Sequence, residues 1–162
     1  MSSSFSADLI TERLELRSWA AREVDAVVAG VRLPHWAADF PAEGDRVIAG
    51  LLGEHREWLG GHRLVVERDS GLVVGSIGLF RPPSDGVLEI GYGIVPSRRG
   101  RGYAAEATRA LTDHAFTAPG VHAVHAEVEL SNPASVRVLE KAGFRLLDGV
   151  TGQATARYGV TR

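Results

Sequence analysis

The residues of this chain best suited to chemistry lie in one stretch, Leu88–Ala107, which reads LEIGYGIVPSRRGRGYAAEA. The pattern is a strand, then a basic turn containing Gly100 and Gly102, then the first turns of a helix. Such a turn points several backbone N–H groups at one spot beside the positive end of a helix dipole, which suits a phosphate or pyrophosphate. Elsewhere the chemically capable side chains are more scattered. Glu89, Glu127 and Glu129 fall on expected strands; each is either a solvent-facing strand carboxylate or, for Glu89 on the strand entering the turn, a general base acting through water. His122 and His125 are three apart in an expected strand, so they face opposite sides and cannot share a metal. No metal site is expected. The absence of cysteine removes disulfides, thiolate ligands and cysteine nucleophiles together. There is no G-x-S-x-G elbow, so a hydrolase reading has no nucleophile.

The elements that must position the turn follow from periodicity. Leu14 and Leu16 alternate with Glu15 and Arg17, a half-buried strand. Val24, Val27, Val28 and Val31 then share one helix face. Leu33–Gly44 breaks that pattern with two prolines and a glycine, and presents His35, Trp36 and Phe40 on a loop where Trp36 and Phe40 either lid the core or form the aromatic wall of an acceptor pocket. A second helix carries Ile48, Leu51, Leu52, His55 and Leu59 up to Gly60-Gly61. Three strands follow, Arg63–Arg68, Leu72–Phe80 and Val87–Val95, joined by turns at 69–71 and 81–86 short enough to imply antiparallel neighbours. Gly75, Gly78, Gly91 and Gly93 are frequent for strand interiors, where glycine marks bulges or close approach by a ligand. A helix from about Arg101, a strand at Val121–Leu130, and a helix capped by Asn132 with Pro133 at its first position and Gly143 as its stop come next. Phe144–Leu147 and Thr155–Val160 close the sheet. The strand at Val87, the Arg101 helix and the strand at Val121 form a β-α-β crossover, so two strands run parallel in an otherwise antiparallel sheet, with the turn at the C-terminal end of the first.

Composition sets the frame. The 162 residues suit one domain spanning 1–162, and 44% hydrophobic with 23% charged residues is ordinary for a globular protein. Residues 1–8 read as a loose terminus without the features of a signal peptide, and no apolar run is long enough for a membrane span. A cytoplasmic protein without membrane or nucleic-acid partners is the expectation, the net charge being only -2.

Three stretches carry a family resemblance. Arg99-x-x-Gly102-x-Ala104 within Val95–Ala107 resembles the acyl-CoA-binding signature of the GNAT N-acetyltransferase superfamily, and LEIGY (Leu88–Tyr92) and NPASVRVLEKAGF (Asn132–Phe144) agree in order and spacing. The match is best to the Rim-type branch, whose members acetylate N-termini of ribosomal proteins. The resemblance implies an α/β (α+β) GNAT fold: a mixed, mostly antiparallel sheet splayed at the acyl-CoA site, with helices on both faces. It implies acetyl-CoA as cosubstrate, with Arg99, Gly100, Arg101, Gly102, Tyr103 and Ala104 around the pyrophosphate and Arg98 as a further cation. Backbone approach favours the glycines and alanine there. Ile94 and Val95 would hold the pantetheine arm, with a backbone N–H near Ile94 polarising the thioester carbonyl. Asn132 would touch that arm or a water, besides capping its helix. Ser135 would hydrogen-bond or protonate the departing thiolate. Many GNAT members use a tyrosine where this chain has Leu139; Tyr92 and Tyr103 are the reserves.

The acceptor is a primary amine, either a protein N-terminal α-amine or a small molecule such as a polyamine or aminoglycoside. At pH 7 an α-amine of pKa ~7.8 is neutral about once in seven molecules and a lysine of pKa ~10.4 about once in 2,500, so a lysine leans harder on a base. Related proteins often form homodimers. The alternative is a non-catalytic acyl-CoA-binding module of the same fold.

Overall fold

A computed structural model of the chain describes residues 8–147 and 154–162, with backbone alone at 81–84. The rest of the expected loose terminus, residues 1–7, lies outside the described residues. The elements run β1 (Leu9–Ile10), β2 (Leu14–Ser18), α1 (Ala21–Ala29), α2 (Glu43–Glu54), β3 (His62–Glu67), β4 (Val73–Ser84), β5 (Val87–Ile94), α3 (Tyr103–Ala115), β6 (Ala123–Glu129), α4 (Pro133–Lys141), β7 (Arg145–Leu146) and β8 (Thr155–Thr161). They build one eight-stranded sheet in the order β1-β2-β3-β4-β5-β6-β8-β7. Every pairing is antiparallel except β5 with β6, which the α3 crossover makes parallel.

Side-chain alternation gives the sheet two buried faces. Leu14, Leu16, Val65, Ile77, Leu79, Leu88 and Ile90 lie under α3 and α4 with Leu111 and Leu139, all buried. The opposite face carries His62, Leu64, Ser76 and Gly78 beneath α1 and α2, whose Val24, Val27, Ala49 and Leu52 are also buried. Arg17 reaches up from this face to Glu23 of α1 with two bonds of 2.9 and 3.0 Å, and the same carboxylate accepts Ala20 N–H at 2.8 Å. No helix among the described residues is long and apolar enough to cross a membrane.

The central strands part. β5 and β6 pair only through Val87–Ala123, Leu88–Val124 and Glu89–His125. Past Glu89, β5 continues against β4 and β6 continues against β8, so the β5 edge from Ile90 to Ile94 loses its neighbour. This is the splay expected from the resemblance.

Local differences from the sequence pattern have identifiable causes. Gly30, at φ 74°, ends α1 with Gly30 N–H on Val27 O and Val31 N–H on Ala26 O. The helix therefore stops before Val31, and Val28 and Val31 are exposed. The second helix ends at Glu54 rather than at the double glycine, and Arg56–Gly61 tighten into a 3-10 segment. The expected turn at 81–86 narrows to Asp85-Gly86, both at positive φ, while β4 runs on to Ser84 across a register shift.

Candidate active site

A cleft of about 460 Å³ opens where the strands part, between the end of β5, the start of α3 and one side of α4. Its floor is Tyr92, Gly93 and Ile94, and its turn is Arg98, Arg99, Gly100 and Gly102. Gly100 and Gly102 hold φ of 80° and 82°, left-handed conformations that strongly favour glycine and let the following amides converge. Gly102 is the residue from which α3 starts, so the first-turn N–H groups of a 13-residue helix face this point.

The turn is held from below by a carboxylate. Glu67 Oε2 accepts from Tyr103 OH at 2.8 Å, Arg98 Nε at 3.1 Å and Arg101 Nη1 at 3.4 Å, while Ser70 Oγ donates to its other oxygen at 2.6 Å. Burial pushes the Glu67 carboxyl up, but the bonds from Ser70, Tyr103 and Arg98 outweigh it and hold the group below the usual carboxylate range. A second anchor is Arg13. It donates to Arg101 O at 2.7 Å, pairs with Glu106 of α3 at 2.8 Å, and stacks its guanidinium over Tyr103 at 4.8 Å. Asp39 accepts from Ser97 N–H and Oγ at 2.8 and 2.9 Å, clamping the Leu33–Gly44 loop to the entry of the turn.

Backbone direction is set at the end of β5. Val95 N–H donates to Val74 O at 2.9 Å. Hydrogen-bonded pairs alternate in an antiparallel ladder, so the polar groups of Tyr92 and Ile94 turn the other way, toward the splay. The Ile94 carbonyl there accepts Arg99 Nε at 2.9 Å. Across the cleft, Asn132 Oδ1 accepts Ser135 N–H at 3.2 Å as the cap of α4. Ser135 Oγ lies 2.8 Å from Tyr92 Oη, and the same phenol donates to Ser135 O at 3.1 Å. Burial pushes the Tyr92 phenol up, against the Ser135 hydrogen bond.

Of the residues singled out in the sequence, Ile94, Arg99, Gly100, Gly102, Tyr103, Ala104, Asn132 and Ser135 line this cleft. Others are placed elsewhere. Val95 is fully buried with its N–H spent on Val74, and the Arg101 side chain turns to Glu67, so neither lines the cleft. Glu89 is exposed on β5 opposite Phe80 and lines neither the cleft nor the second cavity described below. Trp36 and Phe40 are core residues, 5.2 Å apart edge to face, and Trp36 bridges to Val73. Their loop folds inward because Arg32 donates to Phe40 O and Ala37 O. His35 is exposed and lines neither cavity. The acceptor wall expected from these three is therefore not formed by them.

Sequence reasoning missed the Glu67 anchor and the α4 wall. Ala134, Arg137, Val138 and Lys141 face the cleft. They sit at i, i+3, i+4 and i+7, a stripe visible in the sequence once one side of that helix is known to be open. Glu67 gave no signal, because Arg98, Arg101 and Tyr103 lie more than thirty residues further along the chain.

A family model described as Acetyltransferase (GNAT) domain matches residues 13–145. The chain belongs to the GNAT acetyltransferase family. It is 34% identical over 84 residues to the Uncharacterized N-acetyltransferase YjdG of Bacillus subtilis, an alignment covering 51% of this chain and 50% of that protein. The chain spans about half the length of the curated relatives it matches. Among solved structures it resembles a GNAT-family acetyltransferase from Bacillus anthracis (TM-score 0.69, 21% identity, 96% of this chain and 98% of that one). It also resembles Mycobacterium smegmatis RimJ in complex with CoA-disulfide (TM-score 0.67, 22% identity, 99% and 90% covered). At these identities the two structures speak to the fold.

Proposed function

We propose that the chain transfers an acetyl group from acetyl-CoA to a primary amine, in the manner of the Rim-type branch, by direct attack with donor and acceptor bound together. The observation that carries this is the juxtaposition of the left-handed Gly100–Gly102 turn with the Ser135–Tyr92 pair, at opposite ends of one cleft along the splayed edge of β5. The donor set fits coenzyme A. The turn amides and the α3 N-terminus suit the pyrophosphate, the free β5 edge suits an amide-bearing arm, and Arg99, Arg137 and Lys141 are cations in the cleft lining. Bound acetyl-CoA supplies an acetyl group activated as a thioester.

The protein's part is to bind, orient and move protons. N–H groups of β5 turned into the splay can stabilise a carbonyl oxygen as it gains charge. Ser135 Oγ, bonded to a phenol whose own pKa is raised by burial, holds a proton near the expected position of the leaving sulfur, and Tyr92 can replace it. Leu139 is buried, consistent with the acid residing on Ser135 and Tyr92 instead. Thiol release from acetyl-CoA with a panel of N-terminal peptides and small amines tests the reading. Acceptor-dependent release supports it; tight CoA binding with no turnover on any amine identifies a binding module instead.

A further inference from the structure

A second cavity of about 290 Å³ lies on the opposite face of the sheet, beneath α2, and shares Tyr92 and Gly93 with the first. Three strand glycines hollow it. A Cβ on Gly78 would fall 2.0 Å from His62 Nδ1, and one on Gly91 2.9 Å from Phe80, whereas one on Gly93 would meet nothing within 4 Å. The first two absences make room for rings, and the third leaves open space where the two cavities meet. That junction exists because β6 has already left the β5 edge at Glu89.

Three buried polar side chains line this otherwise apolar space: Asp45 and His62, each 3% exposed, and Ser76. Asp45, in the first turn of α2, accepts Ser76 Oγ at 2.5 Å on one oxygen and Ala42 N–H at 2.9 Å on the other. A carboxylate has about four acceptor sites, so it keeps two for another donor. Ser76 is the register partner of Gly93, which puts this carboxylate beside the junction. His62 packs its ring edge-to-face on Phe80 at 5.1 Å, and its ring nitrogens have no hydrogen-bond partner among the described residues. Neither nitrogen is fully sealed from solvent, so the ring can hydrogen-bond a group that enters the cavity.

We infer that this cavity is the acceptor site, that Asp45 receives the amine, and that His62 hydrogen-bonds the body of the acceptor. The inference rests on the acetyl-transfer reading and narrows it. The lining holds a single acid, Asp45, among the described residues, with Ile48 and Phe80 as apolar wall. Polyamines and aminoglycosides carry several cations that this wall would leave unpaired. The volume is at the low end for ligand sites. The matching acceptor is a monocationic primary amine on a residue-sized, mostly apolar body, whether a peptide N-terminus or a free amine. Asp45 takes one proton from the bound ammonium: an N–H bond breaks, an O–H bond forms, and the nitrogen keeps its lone pair for attack. The proton returns to solvent after the product leaves.

The test combines binding and turnover on the full chain. Valinamide, an alanine-initiated peptide and spermine are titrated while the imidazole resonances of His62 are followed by NMR without CoA, and thiol release is measured separately. Saturable shifts of His62 by valinamide or the peptide are expected, and the stronger of the two identifies the source. Asp45→Asn should weaken that binding ~10- to 100-fold while CoA affinity is retained. Val47→Trp, at the exposed mouth of the cavity, should raise KM for the acceptor and spare CoA binding. Saturable His62 shifts without turnover would uphold the site and overturn the transfer reading. Turnover with His62 unperturbed, with Asp45→Asn unchanged in acceptor KM, or with spermine preferred would overturn the site and leave the transfer reading standing.

Discussion

Lowering the pH should cost this protein stability through His62, by an amount the structure sets. Burial is the larger cause, and the neighbouring Arg63 charge the smaller, that pushes the His62 imidazole down to about 4 from an ordinary 6.5. Between those values the unfolded chain binds a proton that the folded chain refuses, so stability is fully present above pH 6.5 and falls as pH drops toward 4. With ~1.4 kcal/mol per pH unit of displaced titration, the loss reaches about 2 kcal/mol at pH 5 and about 3 kcal/mol at pH 4. Other groups act in the same range. Asp45 is pushed up by burial against bonds from Ser76 and Ala42, so its contribution runs the opposite way, weakening the fold as pH rises past its unfolded value. Glu67 and Glu106 are held low by their hydrogen bonds and lose stability only in more acid solution. The His62 share is therefore isolated as a difference. Urea unfolding of the parent chain and of His62→Gln is measured at pH 7.5, 6, 5 and 4.5, and the gap between them should close by about 2 kcal/mol by pH 5. An NMR titration provides the second readout, in which the His62 ring should stay neutral down to about pH 5. Parallel pH profiles for the two proteins, or a His62 midpoint near 6.5, would refute the burial argument.

Gly102→Val places a β-branched residue at φ 82° in the anion turn, with Arg13 Nη2 3.3 Å from its Cβ; CoA affinity measured by calorimetry should fall by well over ~10-fold. Ser135→Ala should lower kcat on the order of 100-fold with little change in CoA affinity, and Tyr92→Phe should show a smaller loss that is not additive with it, because the two hydroxyls act as one pair. Equal losses in kcat and CoA affinity would mean that Ser135 only shapes the helix start. Glu67→Gln leaves Arg98 and Arg101 without their shared carboxylate, so thermal unfolding should register about 3 kcal/mol of destabilisation and CoA should bind several-fold more weakly.

The turn and the helix starts that border the first cleft were legible because their determinants are local. Gly100, Gly102 and the cap at Asn132 are each favoured by backbone conformation within a few residues, so the order of residue types alone exposes them. The helix from Tyr103 and the capped helix from Pro133 were legible for the same reason. The second cavity was not. Trp36 and Phe40 looked like a binding wall because they sit in a proline-rich loop, but nothing local records that Arg32 would fold that loop onto the core. Asp45 and His62 each read as ordinary surface or strand residues. Only the register that sets Ser76 beside Gly93, and His62 beside Gly78, brings them to one cavity. Glu89 shows the same limit: alternation along β5 puts it on the face of Gly91 and Gly93, yet it is exposed and lines neither cavity.

The glycines of the central strands join the two cavities. In a sheet interior each of them costs stability and packs nothing, so their density around β4 and β5 needs a reason. On β5 the side chains of Tyr92 and Ile94 point to the α3 and α4 face, where the first meets Ser135 and the second closes the cleft floor. Gly91 and Gly93 are the residues that point the other way. A side chain at Gly91 would strike Phe80, and one at Gly93 would occupy the open space between the cavities. The same strand is thus full on one face and empty on the other, and under the proposed transfer this would hold a proton donor against the first cleft and let a nucleophile reach the edge. Strand alternation supplies that asymmetry with a period of two, and the parting of β6 from β5 at Glu89 makes the edge accessible from both sides. A single methyl at Gly93 separates this account from one in which the glycines merely relieve crowding. Gly93→Ala meets no atom within 4 Å, so packing alone predicts an unchanged or slightly more stable fold with full activity. If Gly93 is the passage, the variant should keep its stability and lose acceptor turnover.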